Sequence, residues 1–120
     1  MRLVQGSFPY EGAVEVKYGD QWGGVRSNNW GIDEANVVCR QLGYPSAKQA
    51  WDMGYFGKGS GLILLTDVEC HGNETNIDQC DHDEWNHHYC NYRYDYCSAV
   101  GVTCDVVTPP PGKESLLIAR

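Results

Sequence analysis

Six cysteines spread over 120 residues, Cys39, Cys70, Cys80, Cys90, Cys97 and Cys104, constrain this chain more than any other feature. Zinc sites hold thiolates in close pairs roughly two to four residues apart, and no Cys-x-x-Cys pair occurs here. An even number at wide, unequal spacing fits a disulfide framework, which persists only in an oxidising compartment. The chain is therefore expected outside the cell. Six cysteines allow many connectivities, and spacing alone does not choose among them.

The length suits one domain, since compact domains usually run to roughly 100–150 residues, so cross-links would reinforce a core and not replace it. The formal net charge of −7 argues against nucleic acid, whose phosphates need clustered cations. Arg2, Lys17, Arg26, Arg40, Lys48, Lys58 and Arg93 are instead dispersed. The longest apolar run, Leu62-Ile63-Leu64-Leu65, is strand-sized and far short of the roughly 20 residues of a membrane span. Charged and turn residues follow Met1 at once, as expected of a domain excised from a longer secreted or cell-surface protein. Residues 1–107 are read as the domain and 108–120 as a linker or tail, because Thr108-Pro109-Pro110-Pro111-Gly112 is stiff and proline-rich.

Ala13 to Tyr18 alternates, with Val14 and Val16 expected on the buried face and Glu15 and Lys17 on the open one. Gly19-Asp20 reads as a turn, after which Gln21 to Val25 returns as the second arm of a hairpin. Asp33 is the expected N-cap of a helix from Glu34 to Leu42, with Ala35, Val38, Cys39 and Leu42 as its buried stripe and Gly43 as its stop. Leu62 to Leu65 reads as a buried strand, Asn76 to Cys80 as a short helical turn and Val100 to Val106 as a last strand. Strands around one helix make a small α+β fold, and no internal repeat is visible.

The segments around the cysteines carry a more specific likeness. They run, in order, Arg2-Leu3-Val4, Gly12-Ala13-Val14-Glu15-Val16, Gln21-Trp22-Gly23-Gly24-Val25, then Trp30 with Val37-Val38-Cys39-Arg40-Gln41-Leu42-Gly43-Tyr44. Phe56-Gly57-Lys58-Gly59-Ser60-Gly61, Asp67-Val68-Glu69-Cys70-His71-Gly72-Asn73-Glu74, Trp85 with His88-Tyr89-Cys90, and Gly101-Val102-Thr103-Cys104 come after them. This ordered set resembles a scavenger receptor cysteine-rich (SRCR) domain from Arg2 to Cys104. The resemblance implies a curved antiparallel sheet cradling one main α-helix, with three disulfides. It also implies the pairs Cys39–Cys104 and Cys70–Cys80. In the six-cysteine group of this family a cysteine in the second hairpin arm pairs with the position matching Cys90, but Arg26 stands there. Cys97 is the added cysteine, so Cys90–Cys97 is expected as a local replacement; the alternative is a free or intermolecular Cys97.

The same resemblance bears on metals. Many family members bind calcium through paired aspartates after the hairpin cysteine and a late glutamate, and hard cations need several oxygen ligands. Ser27 and Asn28 replace the aspartates, Gly31 replaces another, and only Asp95 is acidic in the late segment. Asp67 matches a second-site position, so Asp67 and Asp95 are the metal candidates, and weak calcium binding or none is expected at the usual place. The histidines and carboxylates between Cys80 and Cys90 read first as a transition-metal site, but Trp85 and His88 match family packing positions. Asn73-Glu74-Thr75 is a glycosylation sequon at Asn73.

Trp85, Tyr92, Tyr94 and Tyr96 crowd one late segment, and aromatic rings are enriched among interface anchors, so these four are the candidate ligand-binding residues. Ser60 and Ser98 have no recognisable nucleophile setting, and no enzyme activity is expected. The reading is a non-catalytic extracellular ligand-binding domain of the scavenger receptor type within a larger protein. The alternative is an accessory domain of a multidomain secreted enzyme, protease or lysyl-oxidase-like. A protein partner is expected before a polyanion, with no nucleic acid and no membrane insertion by this segment.

Overall fold

The computed structural model describes residues 1–26, 29–52, 54–57, 62–83, 85, 88–89 and 99–106. Among these residues seven strands and one helix succeed one another in chain order: β1 Arg2–Val4, β2 Glu11–Tyr18, β3 Gln21–Arg26, α1 Ile32–Gln41, β4 Ala47–Trp51, β5 Leu62–Thr66, β6 His88–Tyr89 and β7 Gly101–Cys104, with a 3-10 turn at Ile77–Gln79 before β6. The strands lie in the order β4-β7-β2-β3-β5-β6, and β1 pairs with β2. The curled sheet cradles the helix, the fold class expected from the sequence. Every pair is antiparallel except β3–β5. That pair is parallel because the chain between its strands crosses over through α1 and the far edge strand β4, and a parallel return needs such a crossover.

The hairpin forms where expected, with Tyr18 opposite Gln21 across the two-residue turn. Gly23 admits the neighbouring strand: a Cβ there would lie 2.6 Å from the Leu64 side chain and 3.0 Å from the Leu62 carbonyl oxygen. Beyond the last β2–β3 pair, Glu15 with Gly24, the chain at Val100 enters between the two strands. Its N–H donates to the Val25 carbonyl at 2.8 Å, and its carbonyl accepts from the Val14 N–H at 2.9 Å.

The main core joins Val14, Val16, Val25, Leu64 and Val102 of the sheet to Ala35, Val37 and Val38 of the helix. Ala13, Ile63 and Ala99, with Val4 and Phe56 against them, form a smaller cluster. The strand β2 is thus buried from Gly12 to Val16, and the strict alternation expected for it fails at Glu15. Glu15 is 1% exposed. The reason is β1, which pairs Arg2 with Glu15 and sets the Arg2 Nε and Nη2 at 2.9 and 2.8 Å from Glu15 Oε1. The guanidinium also lies 4.2 Å from the centroid of the Trp22 ring.

The helix starts earlier than expected. Its N-cap is Gly31 and not Asp33, because Glu34 reaches back to accept the Gly31 N–H at 2.8 Å. Trp30, buried just before, fixes the approach by donating its indole N–H to the Gly101 carbonyl at 3.0 Å. The stop is as expected: Gly43 has φ +99°, and the N–H groups of Gly43 and Tyr44 close back on the carbonyls of Arg40 and Cys39 at 3.0 and 2.9 Å. The buried face also takes in Val37, while Leu42 is half-buried.

Cys39 and Cys104 are joined, with Cα atoms 5.5 Å apart, and so are Cys70 and Cys80, at 4.7 Å. The expected Cys90–Cys97 pair lies outside the described residues.

Removing one member of a fully buried ion pair costs about 3–5 kcal/mol, and less when a partner is wet. Arg2 is 45% exposed. Denaturant unfolding of Arg2→Ala is therefore expected to show a loss of about 2–3 kcal/mol, against at most ~0.5 for the exposed Lys17→Ala. Equal losses at the two positions would contradict the role given to the Arg2–Glu15 pair.

Candidate functional site

Three surfaces carry chemistry, and the polar side of the helix positions the first. Glu34 accepts the Cys70 N–H at 2.8 Å through its second oxygen. Arg40 donates to the carbonyls of Gly72 and Glu74, and Gln41 accepts the Ile77 N–H at 2.9 Å. The loop closed by Cys70–Cys80 is thus laid down on α1, with Asn73 and Thr75 of the sequon at its outer side. Asn76 caps the 3-10 turn by accepting the Asp78 N–H at 2.9 Å. Cys70, Cys80 and Glu74 approach one another closely enough to suggest a metal centre. The two sulfurs are bonded to each other, however, and the Glu74 carboxylate is occupied by the N–H groups of His71 and Gly72, both at 2.9 Å. A disulfide offers no thiolate, so the trio is a loop brace.

The second surface is acidic. Asp67 has φ +56° and donates its N–H to the Arg26 carbonyl at 2.9 Å. A side-chain hydrogen bond with Asp83 is the main cause holding the Asp67 carboxyl above the usual carboxylate range. Partial desolvation and the Asp83 charge add to it, while Arg26 opposes it. Asp83 also accepts from the Thr66 hydroxyl at 3.3 Å, and Glu69 reaches Asn29 at 3.5 Å. Of the expected metal residues the structure places Asp67 here; Asp95, Ser27 and Asn28 lie outside the described residues. Asp67 and Asp83 are hard-oxygen donors of the kind calcium takes, but Glu69 turns to Asn29, and among the described residues these three carboxylates do not gather closely enough to enclose an ion.

Trp85 is half-buried against the main core, its ring stacked 5.2 Å from Tyr18 with the His82 ring edge-on at 6.0 Å. Its indole packs the hairpin end. Tyr92, Tyr94 and Tyr96 lie outside the described residues.

The third surface has no counterpart in the sequence reading. β4 pairs antiparallel with β7, and its register slips between Ala47 and Gln49, so Lys48 is the extra residue of a bulge. Beside the bulge runs a groove of about 540 Å3, lined by Tyr10, Glu11, Lys48, Trp51, Thr103 and Asp105 among others. Tyr55 stacks on Trp51 with centroids 3.9 Å apart, and Phe56 meets both rings edge-on. The only sequence signal is the cluster Trp51, Tyr55, Phe56. Nothing local in the chain announces that Glu11 and Thr103 join it.

The Glu74 brace makes a pH prediction. The His71 N–H, first among its donors, holds the Glu74 carboxyl below the usual range. A carboxylate lowered on folding contributes stability above its unfolded titration point, and that contribution is lost as pH falls through the lower folded value. Carbon-detected NMR titration should give Glu74 a midpoint below the ordinary glutamate range, with the His71 and Gly72 amide protons moving alongside it. A midpoint at the ordinary glutamate value would contradict the brace.

Comparison with known proteins places this geometry. The family model for the scavenger receptor cysteine-rich domain matches residues 4–105. The third SRCR domain of murine neurotrypsin is 38% identical over 89% of this chain and 96% of its own, with a TM-score of 0.71. The SRCR domain of mouse MARCO, solved in a dimeric form, is 32% identical over 88% of this chain and 94% of its own, with a TM-score of 0.67. Domains of this kind are typically extracellular ligand-binding modules, generally without catalysis, and they bind protein ligands. The fold, the cysteine framework and these matches agree: the chain belongs to the scavenger receptor cysteine-rich domain family.

Proposed function

We propose that residues 1–107 form a non-catalytic recognition module, in a secreted protein or a cell-surface ectodomain, that binds protein partners. The observation that carries this reading is the use of the buried and half-buried carboxylates. Glu15 pairs with Arg2, Glu34 holds the backbone at Gly31 and Cys70, and Glu74 holds His71 and Gly72. These groups brace a scaffold and leave the sheet edges and loops to meet a ligand. Among the described residues no helix is long and apolar enough to cross a membrane. The murine neurotrypsin domain is the third of its kind in its protein, which favours a second reading of the chain as an accessory unit of a longer secreted protein.

The tyrosines of the late segment, Tyr92, Tyr94 and Tyr96, are the proposed anchors, with Trp85 the weakest candidate because it packs the hairpin end, and a Cys90–Cys97 bridge is proposed to stiffen the segment. Stiffening lowers the ordering cost of binding. The net charge of −7 disfavours a polyanion ligand. Calcium is proposed to bind weakly or not at all at the family's usual place, with Asp67 and Asp95 as the candidate ligands. Asn73 is proposed to carry a glycan, on the face held away from the sheet.

Fluorescent tetramers of the full chain, incubated with intact cells, test the partner class. Staining is expected to vanish after the cells are treated with protease, to survive removal of glycosaminoglycans, and to fall about tenfold for Tyr92→Ala with Tyr94→Ala. Staining lost with the glycosaminoglycans and retained after protease would contradict a protein partner. Calorimetric titration with calcium should show millimolar binding or none, and any binding seen should weaken in Asp67→Asn. Tight binding that Asp67→Asn leaves intact would put the cation elsewhere.

A further inference from the structure

The groove beside β4 has a chemistry of its own, and the site proposed for it rests on the reading of the chain as a protein-binding module. Glu11 sits opposite Thr103 in the β2–β7 register, and Gln49 sits opposite Thr103 in the β4–β7 register. One cross-strand row therefore runs through three strands. The Thr103 hydroxyl accepts the Trp51 indole N–H at 2.9 Å and donates to Glu11 Oε1 at 3.2 Å. A single side chain thus fixes the indole and the carboxylate relative to each other before any ligand arrives.

Two carboxylates line the groove, and both meet neutral donors. Glu11 accepts from the Thr103 hydroxyl and, at 3.3 Å, from the Ser7 N–H; Asp105 accepts from the Ser46 hydroxyl at 2.8 Å. A carboxylate has about four acceptor positions, so each keeps room for more. Among the described residues neither group has an ion-pair partner. Next to them stands Trp51, backed on one side by the Tyr55 ring. An electron-rich ring beside unneutralised carboxylates, in a chain of net charge −7, is complementary to an organic cation.

We propose that this groove binds an arginine side chain of a protein partner, its guanidinium lying against Trp51 and its N–H groups meeting the carboxylates of Glu11 and Asp105. Arginine suits the site better than lysine because its planar fork stacks on rings and donates to two acceptors at once. A metal ion suits it poorly, since the indole and Val106 occupy the places of oxygen donors. Lys48 is exposed at the rim and carries the wrong charge for this ligand. It weakens binding, and that opposition makes the proposal testable.

The 15N-labelled full chain is titrated with the peptide acetyl-Gly-Arg-Arg-Gly-amide and with its citrulline counterpart, which keeps the shape and loses the charge. Arginine peptide is expected to shift the Trp51 indole N–H and the Thr103 and Gln49 amides saturably, with the citrulline peptide at least about tenfold weaker. Glu11→Gln with Asp105→Asn keeps the acceptors for Thr103, Ser7 and Ser46 and should weaken arginine binding about tenfold. Lys48→Gln should tighten it about two- to threefold, a gain that no folding defect produces. Equal effects of the two peptides, shifts confined to other surfaces, or weaker binding by Lys48→Gln would overturn the proposal. So would chitotriose shifting these resonances while the arginine peptide does not, which would make the groove a sugar site. In the tetramer assay, undiminished staining by the Glu11→Gln, Asp105→Asn chain beside a failed peptide titration removes the groove alone. Protease-resistant staining removes the broader reading.

Discussion

The bond between Cys39 and Cys104 is the constraint on which the rest of the architecture depends. It ties the last turns of the helix to the end of β7, both ends fully buried, and closes 65 residues of chain. On the chain-entropy model such a closure is worth at most roughly 4 kcal/mol, as large as any single side-chain contribution here. Its position matters more than its size. The strand β7 lies between β4 and β2, and Trp30 donates to its first residue. The helix, the crossover that precedes β4 and the sheet are therefore referenced to one short strand. Asp105 donates its N–H to the Ser46 carbonyl at 2.8 Å immediately beyond the bridge, carrying that reference into the approach to β4.

The second bridge works differently. It closes only ten residues, so its entropy term is small, and the loop it closes is shaped by Glu34, Arg40 and Gln41 of the helix. One helix face packs the core and the other serves as a template for backbone. This division explains why Glu34 is buried: its two oxygens satisfy two N–H groups that would otherwise be orphaned, one at the helix start and one at Cys70. The loop between Cys70 and Cys80 and the β4 edge at Lys48 and Gln49 then face solvent on this braced frame.

Range along the chain decides how much of this is legible in the sequence. The hairpin, the Gly43 stop, the Leu62 strand and the Asn76 cap are set by neighbours within a few residues, and each forms where the local pattern puts it. Glu15 misleads because its burial depends on Arg2, thirteen residues earlier in the chain and in another strand. Asp33 misleads because the competing cap, Glu34, looks like any first-turn acid until Cys70 supplies its second donor. The strand β4 escapes notice because Ala47-Lys48-Gln49-Ala50-Trp51 has little β-propensity of its own; pairing with β7 and the Asn36 side chain, which accepts the Ala47 N–H at 2.8 Å, hold it. The candidate site is partly legible. Asn73 stands out from its sequon and Asp67 only through the family resemblance, whereas the β4 groove assembles residues 11, 51 and 103 and has no local signature.

Amide hydrogen exchange measured residue by residue in the intact chain and in Cys39→Ala with Cys104→Ala tests the central role of the bridge most directly. Removing it should strip protection from Val102, Asp105 and the β4 amides together, while amides shared by β2 and β3 keep a larger share of theirs. Protection falling by the same factor at every slow amide would show that the bridge only stabilises the whole domain, and would contradict the organising role given to β7.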